Sequence, residues 1–106
     1  MAYDEKLAGR VRALLKGRRG ITEKKMFGGL AILCSGKMCC GVLKEDLVAR
    51  VGADGYEKAL ARPHVRPMDF TGRPMKGYVY VAPAAIRDKR ALKRWVDACL
   101  AHADTL

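Results

Sequence analysis

Six side chains in this 106-residue chain could do soft-metal, redox or nucleophilic chemistry: Cys34, Cys39, Cys40, Cys99, His64 and His102. A tetrahedral zinc site needs four ligands, usually a close pair on a turn followed by a second pair. The cysteines form no C-x-x-C, and the two histidines lie far apart, so no metal site is expected. A nucleophilic thiol needs a neighbouring base and an oxyanion stabiliser. The sequence shows no nucleophile-elbow pattern, so no catalytic residue is expected and the chain reads as a non-enzyme. No cofactor is expected either. "KKMFGGLAIL" (24–33) carries two glycines, but a phosphate loop needs G-x-x-x-x-G-K-[ST] between strand and helix. Gly28 and Gly29 lead into a strand instead and read as a bend or bulge where a Cβ would clash. "TGRPMKG" (71–77) lacks the following helix that would receive a phosphate.

The elements that position these residues can be read from capping and periodicity. Residues 4–16 fit a helix capped by Asp4, with Leu7, Val11, Leu14 and Leu15 on one face and Gly17 as its stop. "LAILC" and "KMCCGVL" flank Ser35-Gly36, a two-residue hairpin turn, and "LVARV" (47–51) makes a third strand. Asp54 reads as the cap of a short helix through Leu60, stopped by Pro63. Short extended pieces are expected on either side of Thr71-Gly72, and "YVYVA" (78–82) alternates as a strand. A last helix starting near Asp88 puts Leu92, Trp95, Val96 and Cys99 on one stripe. The expected architecture is one α+β domain over 1–106, ordered α-β-β-β-α-β-β-α. Its sheet is largely antiparallel, with helices packed mainly on one face.

Two-residue loops at 35–36 and 45–46 set a register. They place Ala31, Leu33, Met38, Cys40, Val42, Leu47, Ala49 and Val51 on the core face. Ile32, Cys34, Lys37, Cys39, Gly41, Leu43, Val48 and Arg50 then share the opposite, mixed face. Adjacent cysteines on a strand point to opposite faces, so a Cys39–Cys40 disulfide would be strained. Cys40 becomes packing material. Cys39 lies diagonal to Arg50, whose charge favours a thiolate, and is a candidate redox-sensitive thiol.

Size and charge bound the partners. At this length about 65% of the unfolded surface is buried, enough for a core without staples. No stretch reaches the ~20 apolar residues of a membrane span, and "MAYDEK" is not a signal peptide, so a cytoplasmic protein with reduced thiols and no membrane partner is expected. Twenty-one Lys and Arg against eleven Asp and Glu give a net charge of +10, which suits a polyanion or an acidic partner. Arg18, Arg19, Lys24 and Lys25 flank the start of the first strand. Arg87, Arg90 and Arg94, with Lys89 and Lys93, crowd the start of the last helix, where cations oppose the macrodipole. With Val79 and Val81 inward, Tyr78 and Tyr80 join Lys37 and Arg50 on the mixed face. Such a face can stack bases or dock a protein, unless a homodimer mate or the chain's own loops cover it.

"EKKMFGGLAILCSGKMCCGVLKEDLVARVG" followed by "RPMDFTGRPMKGYVYV" resembles the N-terminal domain of the TfoX/Sxy family, named for regulators of bacterial natural competence. The resemblance runs from about residue 4 to residue 103. It implies an α+β fold and a non-enzymatic role in transcriptional regulation through protein contacts. Full-length competence regulators carry a second, helix-hairpin-helix domain. The 106 residues read as a stand-alone copy of the first, so roles that depend on the second are not carried over. A basic nucleic-acid-binding module is the alternative, and a redox-sensitive protein using Cys39 is a third reading.

Overall fold

Asp4 caps the first helix as its position requires: its carboxylate accepts from the backbone N–H of Lys6 at 2.8 Å and of Leu7 at 3.2 Å. Helix α1 (Glu5–Leu15) buries Leu7, Ala8, Val11 and Leu15, and Gly17 turns the chain at φ +89°. These coordinates come from a computed structural model, which describes residues 3–26, 28–69 and 72–105.

Six strands follow in two blocks: β1 (Ile21–Met26), β2 (Gly29–Cys34), β3 (Lys37–Leu43) and β4 (Asp46–Arg50), then β5 (Val65–Pro67) and β6 (Tyr78–Val81). All pairs are antiparallel, and the spatial order is β1-β2-β3-β4-β6-β5. Helix α2 (Gly52–Leu60) separates the blocks, and α3 (Lys89–Asp104) closes the fold, capped by Asp88. The α+β class, the antiparallel sheet and the one-sided helices are those expected from the sequence. The first block, however, has four strands rather than three. "ITEKKM" shows no apolar alternation, since four of its six residues are polar and exposed, the composition of an edge strand. Glu23 ties β1 to α1 through a two-pronged ion pair with Arg12 (2.7 and 2.8 Å), and that hydrogen bonding holds the Glu23 carboxyl below its usual range.

Two smaller expectations are corrected. Asp54 does not cap α2: the helix starts at Gly52, with Val51 at its cap position and no side-chain cap bond, so Asp54 sits in its first turn. The β3–β4 loop is 44–45 rather than 45–46, because Leu43 pairs with Asp46 and Lys44 takes φ +53°. Ser35 and Gly36 both have positive φ (52° and 81°), the two-residue turn expected there. The extended piece expected before Thr71-Gly72 is β5; Thr71 itself lies outside the described residues.

The main core lies between the sheet and the helices. Leu30, Ile32 and Cys34 from β2 meet Cys40 and Val42 from β3, Leu47 and Ala49 from β4, Val79 and Val81 from β6, and Leu92, Trp95, Val96 and Cys99 from α3. This corrects the β2 assignment: Ile32 and Cys34 face the helices, while Ala31 and Leu33 do not. The cause is a β-bulge. Leu33 pairs with Met38 but Ile32 pairs with Cys40, so β3 carries one extra residue, Cys39. A bulge sets two consecutive residues opposite one partner and lets both lean to the same side. Cys39 and Cys40 therefore both enter the core, and Met38 moves to the other face. Lys37 pairs with Cys34 at the turn and so shares its side of the sheet rather than that of Arg50.

The second face has its own small core, formed by Val48, Tyr80 and Met68, with Met38, Leu43, Met75 and Tyr78 around it. Met68 and Met75 come from the segment between β5 and β6. Its backbone is pinned by the N–H of Met75 donating to the carbonyl of Met68 (2.8 Å) and that of Tyr78 donating to the carbonyl of Met75 (3.0 Å).

Candidate functional site

The bulge decides what the vicinal cysteines can do. All four cysteines are buried, with no disulfide among them, and Cys39, Cys40 and Cys99 have no exposed surface at all. Cys39 is thus not the surface thiol beside Arg50 that strict alternation places there. It adjoins Cys40 and Cys99. Hydrogen bonding from Cys40 and then from Cys99 lowers the Cys39 pKa, while Cys40 and Cys99 are pushed up, first by donating to Cys39 and then by burial. Arg18 stands at the margin of this sulfur-rich corner: its Nη2 lies 3.7 Å from Cys34 Sγ and donates to Asp104 at 2.7 Å. No group of three or more His, Cys, Asp or Glu positioned for a metal ion occurs among the described residues.

Chemistry at these sulfurs therefore requires opening the core. With a small aromatic disulfide reagent at neutral pH, all four thiols should react on the order of a hundredfold more slowly in the native protein than in denaturant. A native Cys39 that reacts at the rate of a free thiol would restore the redox reading.

The basic and aromatic candidates divide among three places. On the open face, Arg50 lies over the Tyr78 ring at 5.5 Å and donates to the Met38 carbonyl at 3.3 Å. Beside it, Arg66 lies 4.7 Å over Tyr80 and pairs with Asp46 at 2.6 Å. These are cation–π contacts made within the chain. Tyr80 is buried and Tyr78 half-buried, and Met68 and Met75 take up part of that face. Arg18 and Arg19 sit in the exposed turn after α1, while Lys24 and Lys25 are exposed on opposite sides of β1, and Lys37 is exposed at the β2–β3 turn. Arg87, Arg90 and Arg94 gather at the start of α3, but the helix parts them. Arg87 borders a groove towards α1, and Arg94 borders a cleft towards the end of α2.

The TfoX N-terminal domain family model matches residues 13–103, from the last turn of α1 through all six strands to the end of α3. The chain belongs to this family. No curated protein and no solved structure matches it. In this TfoX N-terminal domain no described helix is long and apolar enough to cross a membrane.

Besides Arg12, three cations of the TfoX domain that the sequence does not single out have partners in the fold. Arg62 stacks on Trp95 at 4.4 Å, Arg66 pairs with Asp46, and Arg10 donates to the carbonyls of Ile86 and Arg87 at 2.6 and 3.2 Å. A signal existed for Arg10, which lies one helical turn before Leu14 on the rim of the apolar stripe. Arg62 carried none, because its partner is thirty-three positions away in sequence.

Proposed function

We propose that this domain is a non-catalytic regulatory module that acts in the bacterial cytoplasm, in transcriptional control, by contact with a partner protein. The resemblance to competence regulators supports the regulatory role. The observation that carries the reading is the contrast between its two kinds of reactive group. Its four sulfurs are closed off in the core, while Arg19, Arg87, Lys89, Arg90 and Arg94 stand exposed. None of these five cations is ion-paired to an Asp or Glu among the described residues. Unneutralised cations on a helical layer steer acidic surfaces to it. The test is affinity capture from native lysate with the tagged domain, run with and without nuclease. Specific proteins retained after nuclease are expected, and their loss would overturn direct protein contact.

A second reading, a nucleic-acid module, is favoured by one cleft. Arg62, His64 and Arg94 surround a space of about 180 Å³ between the end of α2 and α3, with Trp95 at its base. No carboxylate lines it. On this reading, fluorescence anisotropy with a labelled duplex at ~50 mM salt should show binding that weakens steeply as salt rises, because phosphates release counterions. Absence of binding at that salt would remove it.

A further inference from the structure

The groove between α1 and α3 joins an apolar floor to a cationic rim. Leu14, Ala13 and Leu92 line it, together with Arg10, Arg87 and Lys89, and it encloses about 280 Å³. Leu92 is almost wholly covered, whereas Leu14 is only half-buried. One apolar position of the α1 stripe, Leu14, is thus left partly uncovered by the fold. Arg10 is fixed there by the Ile86 and Arg87 carbonyls. Those acceptors are neutral, so they orient the guanidinium without cancelling its charge. None of the three rim cations has a carboxylate partner among the described residues.

We infer that this groove is the docking site for an acidic, amphipathic segment of a partner protein, which inserts an aliphatic side chain between Leu14 and Leu92 and sets carboxylates against Arg10, Arg87 and Lys89. The groove's volume of about 280 Å³, at the small end of the range for ligand pockets, about 300 to 1,000 Å³, leaves room for one or two anchor side chains. The chemistry decides between macromolecules. A phosphate backbone would use the rim but leave the leucine floor unfilled, whereas a helix with an apolar stripe flanked by glutamates uses both. The inference rests on the reading of the domain as a protein-binding module and names the place and chemistry of that contact.

The probe is a fluorescein-labelled synthetic peptide with leucines at i and i+4 and glutamates between them, compared with a scrambled peptide of identical composition. The patterned peptide should bind about tenfold more tightly than the scramble and shift the amide resonances of Ala13, Leu14 and Leu92. The exposed double variant R87E/K89E should lose that preference, while R19E/K25E, reversing two charges elsewhere, should keep it. Equal affinity for both peptides, or shifts confined to other surfaces, would overturn the groove assignment, as would a DNA duplex shifting the same resonances with equal affinity. Lysate capture separates failure of the groove from failure of protein contact altogether. If R87E/K89E retains every nuclease-resistant partner, the groove is wrong and the protein-contact reading stands. If the unaltered domain has no such partner, that reading falls and the groove falls with it.

Discussion

Substituting Gly29 with valine should prevent folding, and even Gly29→Ala should cost about 3 kcal/mol or more. A Cβ on Gly29 would run into the carbonyl oxygen of Val42 and come within 3.2 Å of Leu43 Cα. Both obstacles are backbone of β3, held in the ladder on each side, so no rotamer change relieves the overlap. Gly41 is the reciprocal case: its Cβ would lie 2.6 Å from the carbonyl oxygen of Leu30. Gly29 and Gly41 thus let β2 and β3 approach closely at two neighbouring points of the ladder. A domain of this kind holds only about 5–15 kcal/mol in total, so the loss is a large share of its stability. Urea titration followed by far-UV circular dichroism measures it. A Gly29→Ala protein with an unchanged midpoint would overturn the β2–β3 pairing.

Trp95→Ala should be the most damaging truncation on the helical layer, at about 3–5 kcal/mol. The indole is 3% exposed and meets the main core on one side, while Arg62 covers it at 4.4 Å on the other. Removing it opens a cavity and leaves the Arg62 stem without its platform. Arg62→Ala, at an exposed position, should cost far less, so comparing the two separates packing from stacking. Because Trp95 is the one tryptophan of the chain, its fluorescence reports unfolding of the unaltered protein, and circular dichroism must follow the variant. Equal losses for the two variants would mean that the ring is held by the cation rather than by the core.

Local rules carried much of the fold. Asp4 and Asp88 cap helices because a short side-chain acceptor before an apolar-periodic run has few other uses, and Ser35-Gly36 turns because both residues accept positive φ. The stripe of Leu92, Trp95, Val96 and Cys99 packs as its spacing requires. Alternation across β2 and β3 failed because it assumes an uninterrupted ladder. The bulge at Cys39 carries no local signature in "KMCCGVL", since it is defined only by the pairing of β3 with β2. That one unpaired residue reversed the faces of Ala31, Leu33, Met38 and Cys39 together. β1 is silent for a different reason: Thr22, Glu23, Lys24 and Lys25 are all polar and lie outside the core, so they set no hydrophobic period. The cation cluster was legible as composition, but its division by α3 was not, because Arg10 and Arg62 join it only through the tertiary fold.

The sheet ends in β1 on one side and β5 on the other. One border presents Glu23, Lys24 and Lys25 to solvent; the opposite border is three residues long and finishes in Pro67, which has no N–H to offer. Charge on one margin, and brevity with proline on the other, discourage a foreign chain from laying down a further strand, and with it growth into fibrils.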